Sequence, residues 1–185
     1  MPKILATKED WLKLGFLRFQ ENGDKGIVVE EMAKSLKVNK SSFYHHFKTK
    51  KDFISCIIDF WIGFDTQSII EEVESLEDPK TRFVKLVELA FKKDNHLDFN
   101  FYLKKYARNK KHIRDIINEI DQTRINYVAI LLVNLGFSKK EATVKARIFY
   151  NFLIGYHEMN RYEPESKSYV SDVLMEITHF IPSKF

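Results

Sequence analysis

Apolar residues return at three- and four-residue intervals along most of this chain, and no segment alternates apolar with polar as a half-buried strand must. Only six glycines and four prolines interrupt 185 residues. That pattern predicts an all-α fold of about nine helices. Thr7 and Asp10 have capping-box spacing and open the first helix. A long helix is expected over 51–74, closed by the acidic run Glu71–Asp78 and Pro79. Further helices are expected over 80–93, 98–109 and 111–135, the last closed by Gly136 as a C′ residue. Ser138 and Glu141, a second capping box, open a helix over 139–161. Pro164 breaks the chain before a last helix over 168–180.

Val28–Lys50 reads as two short helices and a tight turn. Met32 and Leu36 share one helical face, small Ala33 lets a second helix cross, and Val38 plugs the corner. Asn39 is the expected N-cap of the second helix. Phe43 and Phe47, at i and i+4, give that helix a buried side. Its exposed side is left to Lys40, Ser41, Ser42, Tyr44 and His45. Between Met32 and Lys51 stand six lysines and no Asp or Glu, whereas a solvated face normally mixes signs, as Glu30–Glu31 does just upstream. A one-signed surface interleaved with Ser, Tyr and His suits phosphate contacts, with base edges in reach of the helix N-terminus. The plainer alternative is a solvated lysine-rich loop beside a structural aromatic cluster.

These residues resemble the N-terminal domain of the TetR family of transcriptional regulators. Trp11 to Phe19 with Gly23 match that family's first helix and its closing glycine; Val29, Met32 and Ala33 match the second. Val38 to Phe47 resembles the recognition helix, and Lys48 to Phe53 the start of helix four, with no gap from Trp11 to Phe53. Three positions depart from the pattern. Val28 stands where a capping Thr is usual, Lys37 where a turn glycine is common, and Ser41 where a glycine is frequent. The resemblance implies a helix-turn-helix DNA-binding domain at 1–50 and a helical ligand-binding and dimerisation domain at 51–185. It implies that Tyr44, His46 and Lys50 hold phosphates of double-stranded DNA, while Lys40, Ser41, Ser42 and His45 reach base edges.

Tyr106–Arg108, Asp121, Arg124, Gly136–Ser138, Glu141–Ala142 and Phe152–Gly155 resemble the regulatory domain of one branch of that family. Such a domain forms a homodimer and binds a small-molecule effector, which the residues do not identify. The helix over 139–161 has two apolar faces, one through Ala142, Ala146, Phe149, Leu153 and Tyr156, the other through Ile148, Phe152, Gly155 and Met159. With Val170, Val173, Leu174 and Ile177 of the last helix, Phe149, Leu153 and Tyr156 are the expected dimer contacts, giving a four-helix interface between two copies. Burial within a single chain is the alternative. Sixteen phenylalanines are many for this length. Trp61, Phe64, Phe91, Tyr102, Tyr106 and Phe152 are candidates to line an apolar pocket, with Asn151 as a polar anchor; each aromatic could equally be plain core. A second basic cluster, Lys104 to Arg114, reads as a solvated corner, as added attraction for DNA, or as a partner for the acidic residues of helix four.

Hydrophobic residues make up 44% and charged residues 30%, a globular balance, with a net charge of +4. The single cysteine, Cys56, excludes an internal disulfide and suits a reducing, cytoplasmic setting. Met1–Thr7 carries no signal pattern, and no apolar run near the 18 residues of a membrane span is expected. His157–Glu158 lacks the second histidine of a zinc-protease motif, and there is no Gly-rich phosphate loop. The sequence therefore predicts no catalytic constellation, metal or cofactor. The expected function is a ligand-responsive repressor acting on a near-palindromic DNA site. The alternatives are a regulator without ligand control and an all-helical protein–protein interaction module.

Overall fold

The computed structural model describes residues 6–92 and 97–182. The described residues form helices α1 (Lys8–Asn22), α2 (Val29–Ser35), α3 (Ser41–His46), α4 (Lys50–Ile62), α5 (Ser68–Glu74), α6 (Pro79–Phe91), α7 (Leu97–Ala107), α8 (Lys111–Asn134), α9 (Lys139–Met159) and α10 (Tyr169–Thr178). A π-helical segment, Gly63–Gln67, joins α4 to α5, so Lys50–Glu74 is one helical run and the helices number nine counted that way. No strand occurs among the described residues.

Local chemistry explains the boundaries. Both expected capping boxes form: the Asp10 N–H donates to Thr7 Oγ1 at 3.1 Å, and the Glu141 N–H to Ser138 Oγ at 3.3 Å. Thr49 caps α4 by accepting from the Asp52 N–H at 3.1 Å. Asp78 caps α6 by accepting from Thr81 at 2.8 Å, with Pro79 at the first helical position, where its missing N–H costs nothing. Gly136 closes α8 with φ of 90°. Its N–H donates to the Val133 carbonyl and that of Phe137 to Leu132, a Schellman closure.

The chain divides into two compact units, residues 1–63 with 95–115 and residues 64–94 with 116–185. In the first unit α1 packs on α4 and α7. Its core holds Trp11, Phe19, Met32, Phe43, Phe53, Ile57 and Phe99, none more than 1% exposed. In the second unit α6, α8, α9 and α10 surround Phe83, Phe91, Leu131, Leu132, Phe149, Val173 and Ile177.

The absence of a long apolar run needs amending. An 18-residue window within Lys50–Glu74 has a mean hydropathy of 1.3, long and apolar enough by composition to cross a membrane. Packing accounts for its apolar residues otherwise: Phe53, Ile54, Ile57, Ile58 and Trp61 are buried in the first unit and Val73 in the second. The basic corner after α7 is largely tied to itself. Arg114 donates to the carbonyls of Ala107 and Arg108 at 3.0 and 2.8 Å, and Lys110 Nζ lies 3.8 Å from the Tyr106 ring centroid.

The close approach of α1 to α4 depends on Gly15. A Cβ there would stand 2.7 Å from Ile57 Cδ1 and 2.8 Å from Phe53 Cε1, both side chains fully buried. Gly15→Ala gains up to about 1 kcal/mol of helix propensity but overpacks this contact at a cost of about 1–3 kcal/mol. Net destabilisation, read as a lower urea midpoint at unchanged m-value, is the expected result.

Candidate nucleic-acid interface

Six residues of helix cannot stand alone in water; α3 is held by its aromatic side. The Phe43 ring meets Trp11 at 5.3 Å, Phe47 at 5.2 Å and Phe53 at 5.1 Å between centroids, mostly edge to face. Phe43 is fully buried and Phe47 nearly so. This clamp fixes the rotation of α3 and therefore which side chains face water.

The outward set contains Lys40, Ser41, Tyr44 and His45, followed by Lys48 and Lys50. Tyr44 is 53% exposed. With Lys34, Lys37 and Lys51, all exposed, these residues make a surface of one sign. Two of the expected contact residues turn partly inward. Ser42 Oγ accepts from the Trp11 indole N–H at 3.4 Å, and His46 Nε2 lies 2.9 Å from the Ala6 carbonyl, to which it donates. Lys40 is exposed but not free: its ammonium is ion-paired with Glu30 of α2 and stands 5.9 Å from the Tyr44 ring centroid. The Glu30 side-chain contact raises the Lys40 pKa and lowers that of Glu30. Glu30 is the residue that reading along the sequence left outside the surface. Its separation from Lys40 is ten positions, and only the crossing of α2 and α3 closes it.

The two irregular positions of the turn leave their mark on its backbone. Val28 occupies the N-cap of α2 without a side-chain hydrogen bond. Lys37 has φ of 56° and is the one non-glycine residue with positive φ among the described residues. Its N–H donates to Lys34 and the Val38 N–H to Ala33, at 3.1 and 3.0 Å, so it holds a C′ position that favours glycine. The expected Asn39 cap is not formed. Lys40 occupies the N-cap position, and no side chain caps α3. The carbonyls of Asn39 and Lys40 accept the N–H groups of Ser42 and Phe43 in tight three-residue turns, which replaces a side-chain cap.

The proposed pocket residues fall in both units. Trp61, Tyr102 and Tyr106 belong to the first, where the Trp61 ring lies tilted to Phe99 at 5.2 Å and Tyr106 meets Phe19 at 6.0 Å. Phe64, Phe91, Asn151 and Phe152 belong to the second. There Phe91 meets Phe152 at 5.5 Å and Tyr156 at 5.2 Å, while Asn151 is exposed on α9. A polar group in this unit joins Arg124 and Asp121, both part of the family resemblance, to Asp65, Thr66 and Tyr150, which the sequence does not single out. Arg124 donates to Asp65 Oδ2 at 2.5 Å and to Thr66 Oγ1 at 2.8 Å, both residues of the π-helical segment. The Tyr150 hydroxyl donates to Asp121 at 2.6 Å, and burial pushes its pKa well up, so it stays a donor.

The expected dimer contacts divide by burial. Phe149, Val173 and Ile177 are at most 1% exposed within the chain's own core. Leu153, Tyr156, Val170 and Leu174 are half-buried. The opposite side of α9 carries the uncovered apolar surface: Val144 at 57%, Ile148 at 43% and Met159 at 85% exposed. Both apolar faces of this helix are therefore present, one inward and one outward.

No protein-family model matches the chain, and no curated protein matches it. Solved structures do. A transcriptional regulator from Rhodococcus sp. Rha1 is similar at 18% identity, over 95% of this chain and 96% of that one, with a TM-score of 0.77. A regulator of the TerR/AcrR family from Aquifex aeolicus VF5 is 24% identical over 95% and 99%, with a TM-score of 0.72. The regulator AibR, solved with isovaleryl coenzyme A and operator DNA, is 13% identical over 95% and 98%, with a TM-score of 0.68. The all-helical fold is thus that of TetR/AcrR-type transcriptional regulators, along nearly the full length.

Relief of the backbone strain at Lys37 is directly measurable. Lys37→Gly should stabilise the protein by about 0.5–1 kcal/mol, because a Cβ is disfavoured at positive φ. A midpoint equal to or below that of the parent would show that the lysine stem compensates by packing.

Proposed function

We propose that this chain is a DNA-binding transcriptional regulator, a homodimeric repressor whose operator affinity responds to a small molecule in the cytoplasm. The observation that carries the reading is the clamped α3, which turns an exposed face of lysines, Tyr44 and His45 outward from a helix-turn-helix. The shared fold supports it, since a regulator of that fold was solved on operator DNA with an acyl-coenzyme A.

In this reading Lys50, Lys48 and Tyr44 hold phosphates, and Ser41, His45 and Lys40 approach base edges in the major groove. Ser42 and His46 act chiefly by bracing α3 against Trp11 and Ala6. Two copies joined through the outer face of α9 present two reading helices to a near-palindromic site. An effector acts only through unequal affinity for the binding and non-binding states. The aromatic residues of the second unit around Phe91 are the proposed region for that selection.

Gel-shift with the DNA upstream of the chain's own gene tests the reading at low salt, where phosphate attraction is strongest. Retardation that weakens with salt is expected, and Lys50→Ala should flatten the slope of log K against log salt by about one. Complete failure to bind at low salt would replace this reading with an all-helical interaction module.

The dimer is tested separately. Ile148→Glu places a carboxylate in the uncovered apolar stripe without entering the chain's core. Light scattering should show a halved mass, with helical content retained. A mass independent of this substitution would move the interface elsewhere.

A further inference from the structure

Lys40 is the residue of the reading surface with the most to gain from a change of partner. It precedes α3, at the end that faces base edges in a helix-turn-helix. Among the described residues of this surface, it is the lysine held in an ion pair. Its partner, Glu30, stands in the first turn of α2, a helix without a side-chain cap, where a carboxylate is favoured by the unpaired N–H groups. Both side chains are well exposed, Lys40 at 48% and Glu30 at 57%. Such a pair is weak and exchanges readily.

We infer that Glu30 is a specificity-determining residue, which withholds the Lys40 ammonium from DNA of arbitrary sequence and yields it only to a matching base. The inference rests on the DNA-reading function proposed above. On a random duplex, moving Lys40 to a phosphate leaves the Glu30 carboxylate exposed beside the phosphate backbone. Loss of one charge pair and repulsion of another cancel the gain, so Lys40 stays with Glu30. On the matching sequence, a base-edge acceptor such as guanine O6 and N7 holds the ammonium in a directed way and offsets the loss. A repulsive element of this kind lowers binding to wrong sequences more than to right ones. The mutual contact keeps both groups charged, raising the pKa of Lys40 and lowering that of Glu30, so the device does not titrate away near neutrality.

The test compares two probes, a short duplex of random sequence and the duplex that the parent protein itself selects from a random library. Glu30→Gln should tighten binding to the random duplex about fivefold, the scale of one Coulomb contact in water. It should steepen the salt slope on that probe by about one as Lys40 becomes available to phosphate. Affinity for the selected duplex should change less, so the ratio of the two falls. In a chain already carrying Lys40→Gln, the same Glu30→Gln change should alter random-duplex affinity by less than about twofold. Unchanged affinity and slope on both probes overturns the inference. So does an equal gain with and without Lys40, which would reflect net charge alone. Weaker binding of Glu30→Gln to both probes also overturns it, by making Glu30 a support of α2. If the parent selects no sequence and does not hold the random duplex at low salt, the DNA-reading function fails first, and the inference with it.

Discussion

The whole reading surface depends on where Phe43 points. Four rings surround it: Trp11 from α1, Tyr44 and Phe47 from its own helix and the turn beyond, and Phe53 from α4. A helix of six residues has almost no stability of its own, so this apolar contact sets both its existence and its rotation. Turning α3 by one residue would bury Tyr44 or Ser42 in place of Phe43 and point a different set of side chains at solvent. The hydrogen bonds of Ser42 with Trp11 and of His46 with Ala6 add direction to a contact whose strength is apolar. The lysines face outward because the rings face inward.

The second unit solves a different problem with similar means. Phe149 of α9 packs against Phe83 and Phe91 of α6, and Val173 and Ile177 of α10 complete the same core. That leaves the other side of α9 with Val144, Ile148 and Met159 uncovered, an apolar stripe on a helix already stable through its inner face. Arg124, Asp65 and Thr66 stand apart from this apolar core. Thr66 is buried and polar, a costly combination unless satisfied, and Arg124 satisfies it while pairing with Asp65. Asp65 and Thr66 belong to the Gly63–Gln67 segment, which adopts the wider π spacing, a form found in short stretches and often near functional groups.

Several features were legible from one-dimensional spacing because their causes are local. The capping boxes at Thr7 and Ser138 and the C′ role of Gly136 depend on atoms within five residues of each other. The Phe43–Phe47 anchor was legible for the same reason, being an i, i+4 pair on an amphipathic helix. The Asn39 cap was expected from residue type, yet the backbone of the turn tightened and its carbonyls took the free N–H groups instead. The expected dimer contacts on α9, Phe149, Leu153 and Tyr156, all lie on the face that packs on the chain's own core, because helical periodicity shows that two apolar faces exist, not which one the chain covers itself.

What the amino-acid sequence determined by itself is the inventory of helices, most of their ends, and the charge of the surface that follows Met32. These rest on propensity, capping and composition, which act over one or two turns. Only the tertiary structure decided which members of that surface are available. Ser42 is drawn to Trp11, 31 positions away, His46 to Ala6, 40 positions away, and Lys40 to Glu30. Each of those contacts exists because helices distant in sequence cross at the Phe43 cluster, and no spacing rule along the chain encodes the angle at which they cross.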